Sequence, residues 1–170
     1  GVAPIENSIE GAVTHTMDMF IDSDLKICSQ IVMGVSHNLL SNCRKDQISK
    51  IYSNPQVFGQ CRAWLQENLP KAECIEVSST SRAAQLVQKE SGLACIASLL
   101  AARVYSLEII AKNIEDSANN VTRFLVLGRS SPPKTGRDKT SLVFSIKDKV
   151  GALHDMLLPF KRQRINLTKI

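Results

Sequence analysis

The sequence lacks any long hydrophobic run. Hydrophobic side chains make up 44% of its 170 residues, but no stretch of about 18 uninterrupted apolar residues occurs, so a membrane-spanning helix is not expected. The first residues lack the basic and apolar regions of a secretion signal. We therefore expect a globular cytoplasmic protein with a buried core.

Cysteine pairs at metal-binding or redox spacing are also absent. The five cysteines are widely spread, with no CxxC and no histidine at metal-ligand spacing, and they are Cys28, Cys43, Cys61, Cys74 and Cys95. An odd number of dispersed cysteines indicates buried free thiols in a reducing compartment and no metal site.

The motifs of several common enzyme classes are missing. No Walker loop, GxGxxG, GxSxG or HExxH occurs, which argues against nucleotide hydrolysis, a dinucleotide cofactor, a serine hydrolase and a zinc protease. No cofactor and no metal are expected.

The positive net charge is unevenly distributed. Residues 1–128 carry 11 Lys and Arg against 13 Asp and Glu, whereas residues 129–170 carry 10 against 3. The basic excess has few aromatic neighbours, so a solvated surface is favoured over a nucleic-acid patch.

Short apolar runs alternate with helical patterns as far as residue 128, which is typical of an α/β domain. Helices are predicted at 55–68, after residue 81 and at 98–105. Strands are predicted near Val2–Ile5, Leu25–Met33, Ile51–Tyr52, Cys74–Val77, Ala94–Ile96 and Val121–Leu127.

Residues 129–139 form a predicted linker rich in Ser, Pro, Gly and charge. Residues 140–170 then predict a strand at 141–146, a helix at 151–163 and a strand beginning at 165. About 30 residues are too few to bury a core, so this second domain is expected to be incomplete. The opening within an apolar strand similarly predicts a missing N-terminal part.

Polar residues stand where strands give way to helices. Ser53 with Asn54, and the run Ser79-Thr80-Ser81, each follow a short strand and open a helix. Such positions either cap the helix or hold an anionic ligand at its positive end, and both interpretations remain open.

Two further polar groups lie at the end of an apolar strand or inside one. Glu6 and Asn7 follow the first strand, and Thr122-Arg123-Phe124 lies inside the last one. Arg123 is expected either to form a structural salt bridge or to bind a carboxylate. The three histidines, His15, His37 and His154, are too dispersed to indicate a catalytic group and are interpreted as structural or exposed.

Five of these segments together resemble the prephenate dehydratase family. They are PIENS at 4–8, SHNLL at 36–40, YSNPQVFGQC at 52–61, SSTSRAA at 78–84 and NNVTRFLVLG at 119–128. The resemblance implies that residues 1–128 are a catalytic domain of two α/β lobes, similar to a periplasmic binding protein, with substrate in the cleft. It also implies that about 75 residues of the first lobe are missing, so that this chain alone would be inactive or poorly folded.

The resemblance implies a decarboxylating dehydration of prephenate to phenylpyruvate in phenylalanine biosynthesis. Thr122 would donate or orient the proton for the leaving hydroxyl, with Arg123 and Glu6 as further catalytic residues. Substrate-binding roles fall on Asn7, Ser53, Gln60, Ser79, Thr80, Ser81 and Phe124.

Residues 140–170 resemble the opening of a ferredoxin-like α+β ACT domain, which implies feedback inhibition by phenylalanine and a homodimer or homotetramer. The implied phenylalanine contacts are Gly151, Ala152, Leu153, Asn166 and Leu167. Arogenate dehydratase, acting on the aminated substrate, and a non-catalytic two-lobed sensor of small molecules are the alternatives.

Overall fold

The structure is a computed structural model that describes residues 1–168. Its strands form two sheets. They are β1 (Val2–Asn7), β2 (Gly11–Ala12), β3 (Lys26–Gly34), β4 (Asn38–Ser41), β5 (Lys50–Ser53), β6 (Glu73–Glu76), β7 (Leu93–Ala97), β8 (Glu108–Ala111) and β9 (Val121–Gly128).

Helices lie between several of the strands, and one more follows the last strand. They are α1 (Thr14–Met19), α2 (Pro55–Gln60), α3 (Arg62–Asn68), α4 (Thr80–Val87), α5 (Leu99–Val104) and α6 (Ala152–Arg162), with a 3-10 turn at Lys45–Gln47. No helix within residues 1–168 is long and apolar enough to cross a membrane.

The first sheet, sheet A, is antiparallel and has the order β2-β1-β9-β3. Glu6 lies directly opposite Arg123, and Asn7 lies opposite Thr122. Because neighbouring residues of a strand point to opposite faces, the Glu6–Arg123 pair and the Asn7–Thr122 pair lie on opposite faces of sheet A. This register brings together residues more than 110 positions apart.

The second sheet, sheet B, has the order β6-β5-β7-β4-β8. Strands β6, β5 and β7 are parallel, while β4 and β8 are antiparallel to their neighbours. All five residues of β7 are buried, as expected for a strand covered on both faces. Ile51 and Ile96 are fully buried on one face and Leu40 on the other, each side chain contributing about 1.5–3 kcal/mol of hydrophobic stabilisation.

Two segments, 35–37 and 112–120, connect the sheets. They run side by side, since the Val35 N–H donates to the Asn120 carbonyl at 2.8 Å and the Ile114 N–H donates to the His37 carbonyl at 2.9 Å. Asn38 pairs with Ala97, the last residue of β7, so His37 lies at the carboxyl edge of the parallel strands. That edge of sheet B therefore faces the junction with sheet A.

The predicted strands and helices of residues 1–128 are confirmed, with one correction and several omissions. The expected helix at 55–68 is two helices, broken at Cys61, whose φ is −120°. The Asp116 carboxylate accepts from the Ala63 and Trp64 N–H groups at 3.0 and 3.2 Å, so a distant residue caps α3 and allows the break. Helix α1 and strands β2, β4 and β8 were not predicted, because they are short or lack an alternating pattern.

The strand expected at 141–146 does not form, and that prediction is wrong. Residues 129–150 contain neither helix nor strand, although α6 follows close to its predicted position. Val143 and Phe144 remain 68% and 51% exposed, and an isolated strand has no partner for its N–H and C=O groups. The strand predicted from 165 is absent at 165–168, and its last two residues lie outside the described part of the chain.

Candidate functional site

Glu6 and Arg123 form an ion pair across β1 and β9. Glu6 Oε2 lies 3.1 Å from Arg123 Nη2, and both side chains are partly exposed. Arg123 Nε is buried and has no hydrogen-bond partner within residues 1–168. The structural salt bridge considered for Arg123 is therefore present, and a donor is left over beside it.

Asn7 and Thr122 are joined on the opposite face of sheet A. Asn7 Nδ2 donates to Thr122 Oγ1 at 2.9 Å and to Asn120 Oδ1 at 2.9 Å. Asn7 Oδ1 accepts from the backbone N–H groups of Ile9 and Glu10 at 2.9 and 3.2 Å. The turn after β1 therefore fixes which end of the Asn7 amide faces Thr122.

The direction of this bond matters for the chemistry of Thr122. An amide nitrogen only donates, so Thr122 accepts from Asn7 and keeps its own proton for another acceptor. A donor on the oxygen also stabilises negative charge there, which makes the hydroxyl a better proton donor. The geometry suits hydrogen-bond or proton donation to a ligand.

Gln60, at the end of α2, connects this group to sheet B. Its Oε1 accepts from Asn120 Nδ2 at 2.9 Å and lies 2.7 Å from His37 Nε2. Its Nε2 donates to Glu10 Oε1 at 3.0 Å, and the other Glu10 oxygen accepts from Gln56 at 3.0 Å. The predicted residues Asn7, Gln60 and Thr122 thus belong to one continuous polar network.

Ser53 lies at the carboxyl edge of sheet B, but its hydroxyl already has a hydrogen-bond partner inside the sheet. Its side chain is fully buried, and its hydroxyl donates to the Ile96 carbonyl at 2.9 Å. Asn54, rather than Ser53, caps α2 by accepting from the Val57 N–H at 3.0 Å. A substrate-binding role for Ser53 remains a prediction.

The run Ser79-Thr80-Ser81 opens α4 as expected. Ser79 caps the helix by accepting from the Arg82 N–H at 3.1 Å, while Thr80 and Ser81 occupy the first turn. Ser79 and Ser81 are exposed. The capping interpretation is present in the structure, and the ligand-binding one remains a prediction.

Phe124 follows two residues after Thr122 on β9 and shares its face of sheet A. It pairs with Pro4 on one side and Ile31 on the other, and its side chain is half-buried. A ligand that reached Thr122 along this face would meet an aromatic ring.

Three members of the network were not among the predicted site residues. Glu10 and Asn120 were not singled out, and His37 was interpreted as structural or exposed; it is 6% exposed and lies in the junction. Their signal was weak because each is a single polar residue in a connecting segment. The side-by-side packing of segments 35–37 and 112–120 brings His37 and Asn120 beside Gln60, and the turn after β1 brings Glu10 there.

The residues predicted to contact phenylalanine fall into two places. Gly151, Ala152 and Leu153 line an open cavity of about 370 Å³ at the start of α6, where Gly151 has a φ of 81° that favours glycine. Asn166 and Leu167 follow the helix and are exposed. Their shared role stays a prediction.

The cysteines are all free, as expected. Burial raises the pKa of Cys61 and Cys95 from 9.0 to about 12, which makes these thiols unreactive. The expectation that all five are buried is wrong, because Cys74 is exposed and Cys28 and Cys43 are partly exposed. Within residues 1–168, no cluster of His, Cys, Asp or Glu could hold a metal ion.

These features define an α/β protein whose polar site lies at the junction of two sheets. The family model for prephenate dehydratase matches residues 1–132. The chain belongs to the prephenate dehydratase family.

Named relatives resemble the chain over its full length. It is 45% identical to the bifunctional chorismate mutase/prephenate dehydratase of Aquifex aeolicus over 171 residues, covering 100% of this chain and 47% of that protein. It is 41% identical to the prephenate dehydratase of Lactococcus lactis, covering 99% of this chain and 63% of that protein. The chain spans about half the length of the first of these relatives.

A solved structure shows the same fold. The prephenate dehydratase of Arthrobacter aurescens in complex with L-Phe matches with a TM-score of 0.89 and 32% identity, covering 99% of this chain and 59% of that one. The expected mixed α/β fold, resembling a periplasmic binding protein, is thereby confirmed.

Proposed function

We propose that the protein containing this chain is a prephenate dehydratase of phenylalanine biosynthesis. Family membership supports the reaction class. The observation that carries the assignment to this site is the hydrogen bond from Asn7 to Thr122, which leaves the threonine proton for a ligand. The protein would act in the cytoplasm without a metal or cofactor.

The reaction requires no covalent bond between the protein and the substrate. Prephenate loses its ring carboxylate as CO2 and its 4-hydroxyl as water, and the electron pair of the broken C–C bond completes the aromatic ring of phenylpyruvate. The leaving hydroxyl needs a proton as its C–O bond breaks. Thr122 would supply or orient that proton. Because a threonine hydroxyl is only weakly acidic and the Asn7 amide that donates to it is not an acid, the proton would have to be returned by water or by a second acid.

Binding the substrate dianion requires positive charge and N–H donors. Arg123 offers a cationic guanidinium with an unpartnered Nε, and Glu6 holds that guanidinium in place. Because Arg123 lies on the face of sheet A opposite Thr122, it is proposed to hold a substrate carboxylate electrostatically. Ser79, Thr80 and Ser81 offer hydroxyls at the positive end of α4. Phe124 and Gln60 border the same junction, and Asn7 and Ser53 complete the proposed set.

Phenylalanine is proposed to inhibit the enzyme through an ACT domain that begins after the linker at 129–139. The cavity beside Gly151, Ala152 and Leu153 is the proposed start of that site, with Asn166 and Leu167 contributing across a homodimer or homotetramer interface. The relative from Arthrobacter aurescens was solved with L-Phe bound, which supports regulation by this amino acid.

The test is an assay of the full-length protein on prephenate and on arogenate, with and without phenylalanine. We expect phenylpyruvate from prephenate, and Thr122→Ala to lower kcat by about 10². Thr122→Ser keeps a hydroxyl and is the matched control, expected to retain most activity. A well-folded protein with no activity on either substrate would favour the small-molecule sensor instead, and full activity of Thr122→Ala would remove Thr122 from proton transfer.

A further inference from the structure

His37 is held rigidly at the junction of the two sheets. The backbone N–H of His37 donates to Glu115 Oε2 at 2.8 Å, and its backbone carbonyl accepts from the Ile114 N–H at 2.9 Å. The side chain is almost completely buried. The imidazole therefore has a fixed position, with Nε2 only 2.7 Å from Gln60 Oε1.

The orientation of the Gln60 amide determines where the His37 ring carries its proton. Gln60 Nε2 donates to the Glu10 carboxylate, which can only accept. Gln60 Oε1 must then face His37, and an amide oxygen only accepts. His37 Nε2 therefore carries a hydrogen and donates to Gln60.

The amides of Asn120 and Asn7 are oriented by the same rule, because each N–H must face an oxygen. Because Gln60 Oε1 accepts, Asn120 must present its Nδ2 to Gln60 and its Oδ1 to Asn7. Asn7 then presents Nδ2 to both Asn120 and Thr122. Each amide has one allowed orientation, fixed by Glu10 at one end and by the backbone turn at Asn7 at the other.

We propose that His37 is a positioning residue for the dehydration, because its Nε2–H anchors Gln60 Oε1 and so steadies the amide chain Gln60–Asn120–Asn7 in the orientation that Glu10 and the turn at Asn7 set and that directs an N–H at Thr122. The inference rests on the proposed function, since Thr122 matters only if it donates to the substrate. His37 itself is separated from Thr122 by three amides and is not proposed to contact the substrate.

Loss of the His37 donor would remove one hydrogen bond from the amide chain Gln60–Asn120–Asn7 and leave its other hydrogen bonds in place. Glu10 would still hold Gln60 Nε2, but Gln60 Oε1 would keep only the Asn120 donor. Removal of one such hydrogen bond corresponds to a fall in kcat of roughly 5- to 20-fold. KM should change by a smaller factor than kcat, because His37 is not proposed to contact the substrate and acts on it only through Gln60 and the amides that follow.

The kinetic test compares two substitutions in the full-length protein. His37→Phe keeps a planar ring and removes the donor, whereas His37→Gln can place an amide N–H near the position of Nε2. We expect His37→Phe to lower kcat by a larger factor than it raises KM, and His37→Gln to restore most of kcat. His15→Gln, at an exposed histidine on α1, is the matched control and should behave as wild type.

A second measurement does not depend on activity. Proton–nitrogen correlation spectra of the histidine rings, recorded in mildly alkaline buffer where an ordinary imidazole is neutral, should show His37 protonated at Nε2. A proton on Nδ1 would overturn the inference even if His37→Phe does not fold.

The kinetic outcomes separate this inference from the proposed function. An active wild type with a fully active His37→Phe variant would overturn the inference alone. Equal losses in His37→Phe and His37→Gln would also overturn it, because packing alone would then explain the effect. A wild type that never converts prephenate would overturn the proposed function together with the inference.

Discussion

Asn7→Asp is the substitution that most directly tests the direction of the hydrogen bonds at Thr122. Aspartate has nearly the shape of asparagine and keeps the oxygen that accepts from the Ile9 and Glu10 N–H groups, so the turn after β1 is preserved. It replaces the amide nitrogen with a second oxygen, which only accepts. The Thr122 hydroxyl would then donate to the introduced carboxylate and could no longer donate to the substrate.

The neighbouring amides cannot relieve the substitution by rotating. If Asn120 turned its Nδ2 toward the introduced carboxylate, its oxygen would face Gln60 Oε1 at a separation near the present 2.9 Å. If Gln60 also rotated, its oxygen would face the Glu10 carboxylate. The repulsion would move along the chain of side chains but would not disappear.

The hydrogen bond to Thr122 is reversed, whereas the bond to Asn120 is lost at a cost of about 1 kcal/mol and leaves an oxygen facing an oxygen, which adds a cost of similar size. We therefore expect the free energy of unfolding to fall by about 2 kcal/mol and kcat to fall by about 10². Chemical unfolding and phenylpyruvate formation by the full-length protein measure the two effects.

Asn119→Asp is the matched control. It adds the same charge one residue from Asn120, on an exposed side chain, and should change neither quantity appreciably. An Asn7→Asp enzyme with wild-type kcat would refute the assignment of Thr122 as the donor. A stability loss confined to Asn119→Asp would refute the account of the amide chain.

Other substitutions test individual contacts. Ser79→Ala removes the cap of α4 and should lower the free energy of unfolding by about 1 kcal/mol; no loss would contradict the cap. Arg123→Met should raise KM for prephenate if Arg123 binds a carboxylate, and should affect stability alone if it serves only to pair with Glu6. Iodoacetamide should modify exposed Cys74 well before buried Cys61, as peptide mass spectrometry would show. Because burial raises the pKa of Cys61 from 9.0 to about 12, its thiol contribution to stability should be complete below pH 9 and lost as pH rises toward 12.

The predicted strands and helices that were found share a strong local signal. Ser79 before α4 and Pro55 at the start of α2 have intrinsic preferences for helix starts, and β9 is an apolar strand whatever surrounds it. Strand β4 carried no such signal, because a strand buried on both faces shows no alternation. The break at Cys61 depends on Asp116, more than 50 residues away, which local sequence could not indicate.

The candidate site also combines residues that motifs identified with contacts that only the structure shows. Asn7, Gln60 and Thr122 were named from motifs that resemble one family, and the structure joins them through bonds of 2.9 Å to Asn120 and between Asn7 and Thr122. Arg123 was correctly expected to have a structural salt bridge as one of its two alternatives. The segment at 141–146 shows the limit of local pattern, because its alternation has no neighbouring strand to complete it.

The sequence by itself determined the α/β class, the family and the residue types available for chemistry, because periodicity and ordered motifs are local properties of the chain. Only the tertiary structure decided which way the hydrogen bonds at Thr122 run. That direction depends on the Glu10 carboxylate at one end and backbone N–H groups at the other. His37, Gln60 and Asn120 acquire their orientation only when two connecting segments bring them into contact, since a hydrogen bond between side chains exists only at contact distance.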